Sequence, residues 1–397
     1  LAYLAGDNDL EDSLLDDLRE MERVGSRPGS VEIVAQLDRP RGASRYYVTR
    51  STKPARIGSK VLAEFGAVNT GDPRVLKAFV GFGAKRYPAQ ACLMILSNHG
   101  SGFYVPPAML SLHRQRPRRA AFTARGVQRT MFRASRDHLL VLESNRGLAY
   151  DDGSGDCLDN RELTTALAHA HGVLGRPVDV VGMDACLMTM LEVAYQLRDH
   201  ARILVGSEDL EPGAGWPYTA VLGDLTARPS MTAAELATTI VRRFADSYAD
   251  DREDVTQSAI DLSRLDELVG AVDALARALL AELPNHAVEA SIYGAWRRTV
   301  RFFDNLYVDL HHLATNLGAI VDRGDVRAAC VEVRRAIEAR PGPILAAAHV
   351  GRRLAPTRGL SIYFPPFRDR SIFYRELAFA RQTRWVDFLD AYLGKAR

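Results

Sequence analysis

Cysteine is scarce in this chain. The four present, Cys92, Cys157, Cys186 and Cys330, stand far apart in 397 residues, with no CxxC pair and no neighbouring His at zinc-ligand spacing. That gives no basis for a disulfide framework or a patterned zinc site. No stretch approaches the ~18 unbroken apolar residues of a membrane span. Charge of one sign is missing too: 51 basic and 49 acidic side chains leave +2, so net charge points to neither a nucleic-acid nor a membrane partner. There is no G-x-S-x-G elbow, no H-E-x-x-H and no P-loop, and Gly81-Phe-Gly83 lacks the third glycine of a dinucleotide fingerprint. What remains is ordinary globular composition, with 25% charged and 47% hydrophobic residues. The length suits two average domains or one large α/β domain with an appendage.

Short apolar runs alternate with helical patterns. Leu1–Leu4, Val31–Leu37, Ala91–Ser97, Val178–Met183, Ile203–Gly206 and Leu360–Phe364 read as strands, and their near-continuous hydrophobicity predicts burial on both faces. Leu10, Leu14, Leu18 and Met21 repeat at helical spacing, as do Leu163, Ala166, Leu167 and Ala170, and Leu187, Leu191, Ala194 and Leu197. The reading is an α/β fold with a mostly parallel sheet. Residues 1–255 form the expected core. From about Thr256 the texture turns helical (Leu262–Leu283, Asp309–Ile320, Asp325–Ala339), followed by strand-like Ile344–Val350 and Gly359–Phe364. No flexible linker intervenes, so residues 256–397 are expected to pack on the core and add strands to its sheet. The opening Leu1-Ala-Tyr-Leu4, without a start Met, reads as the tail of a strand that began earlier, any export signal lying upstream; a secreted or cell-envelope location stays open.

In open α/β sheets the reactive groups gather beyond the carboxyl ends of the strands. Two strands here run out into such groups, Ala91–Ser97 into Asn98-His99-Gly100 and Val178–Met183 into Asp184-Ala185-Cys186. Gly100 and Gly102 are expected to leave the His99 imidazole unshielded and the Gly100 N–H free to serve an oxyanion. Cys186 is expected at a strand-to-helix junction, where a helix over Leu187–Leu197 would favour thiolate over thiol. Cys92 and Cys330 have apolar neighbours and read as inert, and Cys157 in its Asp/Gly loop reads either way. A Cys and a His on adjacent strand ends can perform acyl transfer, most simply peptide hydrolysis: the thiolate attacks, His99 protonates the leaving amine, and the N–H groups of Gly100 and Cys186 hold the oxyanion. The segment His113–Arg136, with eight Arg and no acid, reads as a phosphate-binding patch, a solvated insertion or a substrate-like loop.

These residues carry a resemblance. Tyr3–Leu10, Leu96–Gly102, Ala149–Asp152, Met183–Met188, Glu211–Gly213 with Gly215–Tyr218, Ser258–Leu262 and Gly359–Pro365 occur in the order seen in the clostripain family of cysteine peptidases, which the chain resembles over nearly its whole length. The resemblance implies a caspase-like three-layer α/β/α sandwich, a Cys186–His99 dyad, endopeptidase activity after Arg or Lys on protein or peptide substrates, calcium dependence in some members, and self-cleavage between His99 and Cys186. The Arg-rich insertion then becomes the expected processing loop.

A basic preference needs a carboxylate in the first specificity pocket. Asp184 matches a position the family uses, its rival role being a cap on the following helix. A second family Asp is replaced by Ala214, which turns attention to Glu208 and Asp209, with Trp216 beside them. Eight acids between Asp7 and Glu22, and Asp151, Asp152 and Asp156, are hard oxygen donors suited to calcium, although no spacing assigns ligands. The rival function is a catalytically silent caspase-like scaffold that binds partners or nucleic acid through its Arg-rich loop. Silent relatives normally lose a dyad residue, and both are present. A thioester intermediate would also permit transpeptidation.

Overall fold

The computed structural model describes residues 1–52, 56–103, 147–250, 253–303, 305–365 and 374–395. The Arg-rich segment 113–136 lies outside the described residues. The strands are β1 (Ala2–Ala5), β2 (Val34–Asp38), β3 (Ser44–Tyr47), β4 (Lys60–Glu64), β5 (Leu93–Ser97), β6 (Leu148–Asp151), β7 (Asp156–Leu158), β8 (Val178–Asp184), β9 (Ala201–Gly206), β10 (Val255–Asp261), β11 (Arg301–Phe302), β12 (Tyr307–Asp309), β13 (Ile344–Val350) and β14 (Ser361–Tyr363). Nine form one sheet in the order β13-β10-β9-β8-β5-β1-β2-β3-β4. Its five central strands run parallel. The pairs at either edge are antiparallel.

Hydrophobic pattern decides this arrangement. Every residue of β1, β2 and β8 is buried, as a strand covered on both faces requires. One face packs on the helices Pro73–Arg86, Asn160–Leu174 and Leu191–Leu197, and the other on Glu11–Val24, Tyr218–Ala227 and Ala233–Ser247. Local signals set several helix starts. Asp159 accepts from the N–H of Glu162 while the Glu162 carboxylate accepts from that of Asp159, a reciprocal cap repeated by Thr232 and Glu235. Among the described residues no helix is long and apolar enough to cross a membrane.

The C-terminal region does add to the sheet, through β13, the edge strand, which pairs with β10. The run Leu360–Phe364 does not join it, contrary to expectation: β14 pairs with β12 in a separate three-stranded sheet, β11-β12-β14. Aromatic packing accounts for this, since Tyr307 and Tyr363 enclose Phe103 at the end of the His99 loop. Ser361 N–H donates to Thr189 O (3.0 Å), and Tyr307 Oη donates to Ser101 O (2.8 Å). The small sheet thus braces the loops that leave β5 and β8.

Asn98 anchors the same region from the other side. Its amide donates to Ala5 O and to Tyr150 O (3.2 Å), and its Oδ1 accepts from Tyr150 N–H (2.7 Å). Asn98→Ala leaves that buried N–H unsatisfied and is expected to lower stability by about 1–3 kcal/mol. Urea unfolding measures it, and an unchanged midpoint would contradict this anchoring role.

Candidate active site

β5 and β8 are hydrogen-bonded parallel neighbours, with Ser97 opposite Asp184. His99 and Cys186 therefore each stand two residues beyond a matched pair. The chains stay close after the strands end: a Cβ on Gly100 would lie 2.4 Å from Cys186 O. Only glycine permits that approach. The side chains of His99 and Cys186 line a single cavity of about 30 Å³ with Asn98, Asp184, Glu211 and Asp17. Such a volume holds about one water molecule.

Both reacting groups are covered. His99 is 1% exposed, so it is not the unshielded imidazole that the flanking glycines suggested. Asp9 Oδ1 lies 2.6 Å from its Nε2, and the Tyr150 ring stands edge-on to it at 6.4 Å. Cys186 is 4% exposed. Burial pushes its thiol up to about 12, opposed by the Glu211 N–H that donates to Sγ at 3.2 Å. The expected helical activation of the thiol fails for a geometric reason: Leu187 takes a positive φ of 67° and the helix starts only at Leu191. Helix-end charge fades within a turn. Burial thus favours the neutral thiol over the thiolate in this conformation.

Asp184 does not cap that helix either. It is buried at the end of β8 and accepts from Tyr218 Oη (2.6 Å), Ser97 Oγ (3.2 Å) and Trp216 N–H (3.3 Å). Beside it, the buried Glu211 carboxyl has Asp184, the Trp216 indole and the Gln257 amide as its side-chain hydrogen-bonding neighbours. Burial raises the carboxyls of Asp184, Glu211 and Asp17 above the ordinary range, and Asp184 adds repulsion to the last two. Three carboxyls thus face one cavity at the thiol. Glu208 and Asp209 are not among its lining residues. Glu208 is buried against Asp309 and accepts from Gly359 N–H (2.9 Å), while Asp209 pairs with Arg353. Trp216 sits behind the cavity, its indole against Gly182.

A model of the clostripain family matches residues 2–109 and 134–340. The chain belongs to the clostripain family. The unmatched stretch between, 110–133, overlaps most of the Arg-rich segment. Clostripain of Hathewaya histolytica is 27% identical over 340 residues, covering 72% of this chain and 57% of clostripain, so the chain spans little more than half that relative's length. A secreted C11 cysteine protease of Bacteroides thetaiotaomicron, in complex with an irreversible peptide inhibitor, superposes with a TM-score of 0.63 at 20% identity, covering 98% of this chain and 97% of its own. An inactive zymogen C11 protease of Parabacteroides distasonis gives 0.64 at 16%, covering 96% of each. These likenesses establish the caspase-like α/β fold.

Within that family fold, the sequence reading missed Asp9, Asp17 and Glu211. Asp9 was legible in principle, since β1 neighbours β5 and its end carries Asp7-Asn8-Asp9. Asp17 and Glu211 sit in a helix and a loop whose approach no local pattern encodes. Of the remaining thiols, Cys157 proves to be a buried strand residue. In the uncleaved chain at pH 8, Cys186 is expected to alkylate with iodoacetamide about 100-fold or more slowly than an exposed thiol, accelerating as pH rises toward 11. Peptide mass mapping over time measures this. Rapid stoichiometric labelling at neutral pH would contradict the buried neutral thiol.

Proposed function

We propose that the chain is a cysteine endopeptidase, made in a latent form, in which Cys186 is the nucleophile and His99 the proton carrier. The observation that carries this is the shared cavity: thiol, imidazole and three carboxyls converge beyond the ends of β5 and β8. With His99 Nε2–H donating to Asp9, Nδ1 is the nitrogen that takes the thiol proton. Sγ then attacks the peptide carbonyl, and the N–H groups of Gly100 and Cys186 stabilise the oxyanion. His99 returns the proton to the amine as the C–N bond breaks. Water hydrolyses the resulting thioester and restores the thiol.

The carboxyl set supports cleavage after Arg or Lys. Buried acids with raised pKa values gain from an incoming cation, which lets them ionise and pairs them in one step. Asp184 and Glu211 are assigned to this pocket, with Asp17 at its side; Glu211 replaces the charge that Ala214 lacks. Glu208 and Asp209 are dropped from that role because their partners hold them elsewhere. Trp216 acts from behind, by fixing Asp184.

The near-complete burial of His99 and Cys186 supports a latent form, and the presence of both at one cavity supports an enzyme over a silent scaffold. The segment 113–136 supplies basic cleavage points between His99 and Cys186, and cutting there is proposed to release the cover. Two outcomes are expected. Purified wild-type protein gives two fragments by mass spectrometry, separated at an Arg of 113–136, while Cys186→Ala stays intact; identical intact masses would contradict processing. In the processed enzyme, Asp184→Asn and Glu211→Gln each lower kcat/KM for an arginyl substrate by about 10- to 100-fold. Unchanged values would remove those carboxylates from the pocket.

A further inference from the structure

Glu208 follows β9 and Asp309 ends β12, and both side chains are buried, at 1% and 0% exposure. Each Asp309 oxygen accepts a backbone N–H: Oδ1 takes that of His312 (2.6 Å), capping the helix Leu310–Ile320, and Oδ2 takes that of Arg358 (2.7 Å). Glu208 Oε2 accepts the next N–H along, from Gly359 (2.9 Å). The two carboxyls are also hydrogen-bonded to each other. Ionised carboxylates only accept, so that contact requires a proton. Asp309 is held by two N–H groups and Glu208 by one, which places the proton on Glu208.

Among the described residues the neighbouring cations are engaged elsewhere. Arg353 pairs with Asp209 and Asp254, and Arg358 turns its guanidinium to Ala355 O and Thr357 O. His311 lies on Glu338 at 2.7 Å, and His312 Nδ1 accepts from Val300 N–H (3.1 Å). Burial and repulsion by Asp309 raise the Glu208 carboxyl well above the ordinary range, with Asp209 adding to the effect. Burial raises Asp309 as well, opposed by the N–H groups of His312 and Arg358, by Glu208 and by His311.

The pair sits in a seam. On one side the loop after β9 straps the thiol loop: Asp209 O accepts from Leu187 N–H (3.1 Å), Ser207 O accepts from Thr189 N–H (3.0 Å), and Glu211 N–H donates to Cys186 Sγ (3.2 Å). On the other side is the β11-β12-β14 sheet, entered through Arg358-Gly359. Gly359 has a φ of 90°, and a Cβ there would stand 2.7 Å from the Ser258 Cβ, so only glycine lets this turn press on β10.

We infer that Glu208 keeps a proton at neutral pH and donates it to Asp309, and that this hydrogen bond is the clasp between the strap over Cys186 and the small sheet. Losing the proton puts two charges into a seam without a cation, and the sheet that braces the His99 and Cys186 loops loosens. The clasp does not rest on the assignment of the thiol chemistry. A proton that the fold keeps and the unfolded chain releases makes stability fall as pH rises, from the ordinary glutamic acid value of about 4.3 upward until the pair itself ionises.

The test uses the full chain carrying Cys186→Ala and follows urea unfolding from about pH 5.5 to 8. Adding Glu208→Gln keeps both contacts, the amide carbonyl accepting from Gly359 N–H and the amide N–H donating to Asp309, with no proton to lose. Its unfolding equilibrium constant is expected to depend on pH less steeply than the parent's by one proton, about tenfold per pH unit. The variant therefore gains on the parent as pH rises. Other buried acids titrate in both proteins and cancel in the comparison. If Glu208→Gln fails to fold, Asp309→Asn, whose amide donates to an ionised Glu208, gives the same loss of slope at lower overall stability. Equal slopes in parent and variant would overturn the inference. So would a Glu208→Gln protein whose disadvantage grows with pH, which assigns Glu208 as an ionised group held by a cation.

Discussion

The parallel pairing of β5 with β8 is the constraint on which the rest depends. Because Ser97 stands opposite Asp184, two chains that are 87 residues apart in sequence at that point emerge side by side. His99 and Cys186 fall at equal distance past the pair. Parallel neighbours require a long crossover between them, and here that crossover holds the Arg-rich segment and the β6–β7 hairpin. The site and the segment proposed to control it are thus consequences of one topological choice. Asn98 on one side and the β12–β14 aromatics on the other hold the strand ends in place once the sheet hydrogen bonds stop.

Burial gives the site its resting character. The same coverage that leaves His99 and Cys186 almost without solvent contact keeps the thiol protonated and the nearby carboxyls short of charge. A buried acid without a cation destabilises the fold, and the proposed substrate pocket gives Asp184, Glu211 and Asp17 a role that offsets this cost. Their placement at the cavity is what the proposed function assigns to an incoming substrate cation.

Much of the fold was legible because the central strands are apolar on both faces and their helices keep a clean 3.6-residue period; β1, β2, β5, β8 and β9 were each read within a few residues. The edge strands β3 and β4 escaped, since half-exposed runs such as Lys60–Glu64 carry no strong pattern. Leu360–Phe364 looked like another core strand because burial is the same in either sheet, and only aromatic packing assigns it to the small one. At the site, residues placed by strand ends were readable, and Cys186 and His99 line one cavity as adjacency requires. The state of the thiol was not readable, because Leu187 takes a left-handed backbone angle that no composition signals. Nor were Asp17 and Glu211, which reach the cavity from a helix and a loop.

The central claim is that Sγ of Cys186 and the His99 ring act together on one carbonyl carbon. Reacting the processed enzyme with an arginyl chloromethyl ketone, which reaches a nucleophile seated beside the bound arginyl group and alkylates it with loss of chloride, and mapping the adduct by peptide mass spectrometry tests this most directly. A single adduct on the peptide containing Cys186, lost in His99→Ala while that variant remains folded, is the predicted result. An adduct on another residue, or equal labelling without His99, would contradict it.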